Sequence, residues 1–257
     1  MTSAGLFRTQ GEQLKLQATQ QLNVRQNADM KQVMWIKICG ITNVEDAEMV
    51  AQSGATAIGL NFYAPSKRFV STTVACEIRQ LLGDRIELVG VFVNSSAEEV
   101  AEIAREIPLD TVQFHGDEST ETIVRFHEVA GEVGIIRAFR VPPDGFDAVD
   151  EVLGELQQAN VPLKAVLLDA YKPGEYGGTG HQIAPELVRH WIDSDTTNRP
   201  PVVLAGGLTA DNVAAAVTTA KPWGIDTASG VESRQGQKNA EKTATFVRQA
   251  KLASASS

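Results

Sequence analysis

Eight times in succession along this chain, a short apolar run gives way to an amphipathic stretch of helix length. The apolar runs are Val33–Cys39, Thr56–Asn61, Ile86–Val93, Thr111–His115, Ile135–Val141, Ala165–Asp169, Pro201–Ala205 and Gly224–Thr227. The stretches that follow them are Val44–Ser53, Thr72–Leu82, Ala97–Glu106, Glu121–Ala130, Phe146–Ala159, Ala184–Ser194, Asp211–Ala220 and Ala240–Leu252. Asn43, Ser71, Ser96 and Thr209 stand ahead of four of them and have side chains suited to capping a helix N-terminus. Strict strand–helix alternation implies a parallel sheet with crossover helices, and eight units is the number that closes such a sheet into a barrel. The expected fold is α/β, a single-domain (β/α)8 TIM barrel over residues 33–252. The length of 257 residues agrees with it, since these barrels typically need about 250. An open doubly wound sheet is the competing arrangement. No Gly-x-Gly-x-x-Gly turn follows the first run, which weakens a dinucleotide-binding version of it.

The flanks read differently. Residues 1–32 are rich in Gln and poor in acid, and Leu14 to Leu22 has the pattern of one polar helix. This segment is expected to be a disordered or loosely docked extension rather than a targeting signal, for which Arg8 and Arg25 are too sparse. Residues 253–257 are expected to fray. A net charge of −9 argues against a nucleic-acid partner but not against a small anionic substrate, because backbone N–H groups and helix N-termini bind phosphate in acidic proteins. Two cysteines, Cys39 and Cys76, suit a reducing compartment, so a cytoplasmic location is expected. No apolar run approaches the roughly 18 residues of a membrane span. None of the four His is spaced with another His or a Cys as zinc ligands are, so no metal is expected. Monomer and homodimer are both open.

In a barrel of this kind the active site lies at the C-terminal ends of the strands. The first strand ends in Lys37-Ile-Cys-Gly-Ile-Thr42. Alternation turns Ile36 and Ile38 toward the helices and Cys39 into the barrel mouth, where it is either a reactive thiol or a buried, inert one. Lys37, on the same face, would favour the thiolate. The sixth strand ends in Asp169, either a turn cap or a catalytic carboxyl. Cys39 and Asp169, from different sides of the barrel, would make a base and an acid for a bound sugar. The loop after strand two carries Lys67 and Arg68, either a solvated pair or a carboxylate clamp. His115 closes strand four as a substrate contact or as a satisfied polar residue. Gly206 and Gly207 follow strand seven, and Ser229 and Gly230 follow strand eight. Small residues at those two ends let backbone N–H groups reach a phosphate. The loop from Tyr171 to Gly180, with Gly178 among its four glycines, suits a lid.

Lys37-Ile-Cys-Gly-Ile-Thr42, Val112-Gln-Phe-His-Gly116, Gly177-Gly-Thr-Gly180, Leu204-Ala-Gly-Gly-Leu208 and Ser229-Gly-Val-Glu232 together resemble the signature segments of the phosphoribosylanthranilate isomerases, in the same order and over roughly residues 33–250. The resemblance implies an intramolecular oxidoreductase of tryptophan biosynthesis that performs an Amadori rearrangement on a phosphorylated substrate, without cofactor or metal. It places Cys39 on the family's general base and Asp169 on its general acid. Arg68 falls on the group that binds the anthranilate carboxylate, and the glycine-rich strand ends on the phosphate site. The chain departs from the family after Gly180, where His181-Gln-Ile183 replaces the usual Phe-Asp-Trp. It departs again at Asp226-Thr-Ala-Ser229, where Asp-Val-Ser-Ser is common. The related isomerase of histidine biosynthesis uses two aspartates, which Cys39 disfavours; a dual-substrate enzyme stays open. A silent barrel that only binds ligand is disfavoured by Cys39, Arg68 and Asp169 occurring together.

Overall fold

The computed structural model describes residues 33–141, 145–170, 183–194 and 199–256. Eight parallel strands close on one another in sequence order. They are β1 (Trp35–Cys39), β2 (Ala57–Asn61), β3 (Glu87–Phe92), β4 (Thr111–Phe114), β5 (Gly134–Val141), β6 (Ala165–Ala170), β7 (Val202–Leu204) and β8 (Gly224–Thr227). β1 pairs with β2 on one side and β8 on the other, Lys37 standing level with Ala57 and with Asp226, so the open-sheet alternative falls. The crossover helices are α1 (Val44–Gln52), α2 (Thr72–Leu82), α3 (Ala97–Glu106), α4 (Thr120–Ala130), α5 (Asp147–Gln158), α6 (Pro185–Ser194), α7 (Val213–Ala220) and α8 (Ala240–Ala255). No helix among the described residues is long and apolar enough to cross a membrane.

Strand alternation divides the apolar residues into two cores. Ile36, Ile38, Ile58, Leu60, Leu88, Val112, Val166 and Leu168 face outward and pack beneath the helices. Trp35, Ala57, Val89, Ile136, Ala138, Ala165, Leu167, Val203 and Ala205 fill the barrel interior. The N-terminal end of the interior is closed by polar bonds as well as by packing. Trp35 stacks on Trp223 with ring centroids 5.4 Å apart. Glu87 accepts from Trp35 Nε1 at 3.0 Å, Thr111 Oγ1 at 2.6 Å and Lys164 Nζ at 2.6 Å.

Asn43, Ser71 and Ser96 cap α1, α2 and α3 as their positions predict, and Ser96 forms a full capping box with Glu99. Thr209 does not cap α7. That helix starts later, with Asn212 at its N-cap position. The Asn212 side chain is occupied by the turn instead, accepting from Thr209 N at 2.8 Å and donating to Gly207 O at 3.0 Å. α8 runs through Ala255, into the stretch expected to fray, because Ala250 and Ala253 pack on the outer core. Two features the strand–helix pattern did not predict lie between β8 and α8: a 3-10 turn (Ser229–Val231) and a hairpin of β9 (Glu232–Arg234) with β10 (Gln237–Lys238). Strands of two or three residues are too short for alternation to reveal them.

Candidate active site

A cavity of about 280 Å³ opens at the C-terminal end of the barrel and is lined by Cys39, Arg68, His115, Asp169 and Asp226 among others. Four of the residues singled out from the sequence therefore meet in one place. Their strands bring them there: Cys39 ends β1, His115 directly follows β4, Asp169 lies on β6 and Arg68 sits in the loop after β2. A larger hollow, about 710 Å³, lies on the flank beside α5. Its charged pair, Arg199 and Asp150, is closed on itself at 3.1 Å, and none of the strand ends reaches it.

The thiol of Cys39 has room because Gly59, level with it on β2, has no side chain; a Cβ there would stand 2.7 Å from Sγ. Lys37 is fully buried one layer below, with Nζ 2.9 Å from Asp226 Oδ1. The two form a close buried ion pair. Burial opposes charge on Lys37, but Asp226 and Cys39 outweigh it and raise its pKa. Lys37 was expected to favour the thiolate, and it does pull in that direction. Burial is the larger effect, with Asp226 adding to it, and the Cys39 thiol is held above its ordinary pKa.

Asp169 is buried. Its Oδ2 lies 3.5 Å from His115 Nε2. On the other side of the ring, Nδ1 is 2.6 Å from the side-chain nitrogen of the fully buried Gln113. Gln113 thus holds the imidazole from one side while Nε2 points at Asp169. Gln113 was not singled out from the sequence, where it reads as one more residue of a strand. Its interior position and its place two residues before His115 were the available signals.

Lys67 and Arg68 both line the cavity, Lys67 exposed at its rim and Arg68 half-buried. Asn61 shapes their loop by donating to Ser66 Oγ at 3.1 Å and accepting from Tyr63 N at 2.9 Å; Ser66 Oγ then accepts from Arg68 N at 3.1 Å. Gly206 (φ 83°) and Gly207 (φ 63°) turn the chain after β7 in the left-handed region that glycine tolerates. The 3-10 turn after β8 packs against this bend: Thr227 Oγ1 donates to Leu208 O at 2.7 Å, and a Cβ on Gly230 would run into that same carbonyl. These glycines and Ser229 stand at neighbouring strand ends but do not line the cavity described above. Gly178 lies outside the described residues. Among the described residues no three His, Cys, Asp or Glu side chains group as metal ligands.

Titratable side chains from separate strands of a closed barrel, gathered at the C-terminal strand ends, define an enzyme of the (β/α)8 class. The sequence matches the family model described as N-(5'phosphoribosyl)anthranilate (PRA) isomerase over residues 36–249. It is 39% identical over 225 residues to the N-(5'-phosphoribosyl)anthranilate isomerase of Ralstonia nicotianae, covering 86% of this chain and 94% of that one. The fold is similar to the crystal structure of phosphoribosyl anthranilate isomerase from Thermotoga maritima, with a TM-score of 0.73 and 32% identity over 85% of this chain and 99% of that one. It is similar also to a phosphoribosyl anthranilate isomerase solved in complex with reduced 1-(o-carboxyphenylamino)-1-deoxyribulose 5-phosphate, with a TM-score of 0.70 and 31% identity over 85% and 99% of the two chains. The chain belongs to the N-(5'-phosphoribosyl)anthranilate isomerase family.

Proposed function

We propose that this chain converts N-(5'-phosphoribosyl)anthranilate to 1-(2-carboxyphenylamino)-1-deoxyribulose 5-phosphate, an Amadori rearrangement of L-tryptophan biosynthesis, with Cys39 as general base and Asp169 as general acid. The observation that carries the two roles is that a thiol on β1 and a carboxyl on β6 line one cavity. Protonated Asp169 gives its proton to the furanose ring oxygen. The C1–O bond breaks as the anilino nitrogen lone pair forms an iminium, which acidifies the C2–H. Cys39 thiolate takes that proton to give an enolamine, which tautomerises to the ketone, and exchange with solvent resets the pair. Burial disfavours the thiolate in the empty site; the iminium, a cation formed beside it, offsets burial when the base is needed.

His115 stands against Asp169, with Nε2 3.5 Å from Oδ2, and is placed to orient the acid. Arg68 is assigned to the anthranilate carboxylate. Gly178 is assigned to substrate contact, and Gly206, Gly207, Ser229 and Gly230 to the phosphate. The left-handed turn after β7 and the 3-10 turn after β8 support this for the last four, because the loops after strands seven and eight are where barrels of this class hold phosphate. The scheme uses no cofactor or metal. A cytoplasmic location accords with two free cysteines.

Freshly prepared substrate loses its anthranilate-type fluorescence on turnover, and that signal tests the reading. The native protein is expected to turn over rapidly. Folded Cys39→Ala and Asp169→Ala variants are each expected to fall by about 10²–10⁴ in kcat. A native protein without turnover, or variants that keep full rate, would sink the assignment.

A further inference from the structure

Glu232, at the start of β9, is 164 residues from Arg68 in sequence and bonded to it twice: Arg68 Nε donates to Oε1 at 2.7 Å and Nη2 to Oε2 at 2.9 Å. A second cation shares the carboxylate, since Lys238 Nζ on β10 donates to Oε1 at 2.9 Å and to Ala228 O at 3.0 Å. Lys242 Nζ at the start of α8 donates to the Glu232 carbonyl at 2.9 Å. Glu232 and Lys238 are both buried. Burial works against the Glu232 carboxylate, but Arg68 and Lys238 outweigh it and hold its pKa below the usual carboxylate range. Arg68, Lys238 and Lys242 thus all bond to this one residue.

A guanidinium offers its N–H groups along distinct edges. Glu232 takes the side edge, made by Nε and one N–H of Nη2. The end edge, made by Nη1 and the other N–H of Nη2, is bonded to no protein group in any of the contacts seen among the described residues. Arg68 lines the cavity. Its stem is confined as well: Gly40 (φ 76°) carries the chain past it, and a Cβ at that position would overlap Arg68 Cδ.

We propose that Glu232 is a positioning residue that clamps the side edge of Arg68 so that the end edge faces the cavity and accepts one planar carboxylate. The hairpin β9–β10, whose turn residue Gln235 lines the cavity, would then set substrate specificity by holding Arg68. Glu232 touches no reacting atom and acts through Arg68. The inference rests on the assignment of Arg68 to the anthranilate carboxylate.

The test compares steady-state kinetics of the full chain on N-(5'-phosphoribosyl)anthranilate and on N-(5'-phosphoribosyl)aniline, which lacks the carboxyl. Glu232→Gln is expected to raise KM for the first substrate about tenfold, as a charge-assisted bidentate contact loses its alignment, with kcat within about twofold. KM for the second substrate should not change. Glu232→Asp keeps the charge but falls one methylene short, so it should give a smaller rise of the same selectivity, and it serves where the amide variant does not fold by circular dichroism. An equal KM rise on both substrates, no rise on either, or a fall in kcat alone would overturn the proposal. Arg68→Ala separates the two readings. If it fails to discriminate the substrates, the assignment of Arg68 fails; if it discriminates and both Glu232 variants do not, only the role of Glu232 fails.

Discussion

Cys39, the residue proposed as the base, has a thiol held above its ordinary pKa by burial, in spite of two lysines that pull it down. The sign of the consequence is fixed. The thiolate is the form that reacts, so at neutral pH the empty enzyme holds less of it than an exposed cysteine would. In a Cys76→Ser background, alkylation of Cys39 by iodoacetamide is expected to climb about tenfold per pH unit through neutrality and to level off only above about 8.5, the free-thiol value. A plateau reached by pH 7 would show that the lysines win. At this scale the sequence was informative where a residue ends an apolar run: Cys39 and Asp169 both declare themselves that way, and both line the cavity. It was silent where a role depends on a distant neighbour. Glu232 matters through an arginine 164 positions away, a relation with no local pattern.

Loops after β7 and β8 act as one element. Leu208 offers its carbonyl to Thr227, and the backbone of Gly230 passes so close that no Cβ fits. Gly230→Ala must therefore push the two loops apart. It is expected to lower the stability of the folded protein by about 1–3 kcal/mol, read from the urea midpoint, as overpacking typically does, and to raise KM by disturbing the loops proposed to hold the phosphate. An unchanged midpoint would show that the loops move independently. The glycines of this element were legible as a pair at two neighbouring strand ends. The reason for them was not, because a close approach between backbones 22 residues apart in sequence leaves no mark on either. The same holds for Asn212, whose side chain serves the turn rather than the helix. The β9–β10 hairpin, which carries Glu232 and Lys238, was missed for the same lack of local pattern.

Across the whole barrel, the two ends do different work. The N-terminal end is tied by Glu87, which gathers Trp35, Thr111 and Lys164 from three other segments. Glu87→Ala would leave three donors without their acceptor. A loss of about 1–3 kcal/mol in urea denaturation is expected, with kcat within about twofold of native; a large fall in kcat would show that the two ends are coupled. The architecture itself was legible because eight repeats of one pattern leave little choice of topology. The interior alternation has a last consequence. Cys39 sits level with Gly59, the residue whose missing side chain makes room for the thiol. A slip of β1 by one position would present Ile38 to the mouth and turn the thiol toward the helices. Turnover is therefore a proofreading signal for assembly: a molecule that reacts has threaded its first strand in register, and the active fraction of a refolded sample counts the correctly zipped barrels.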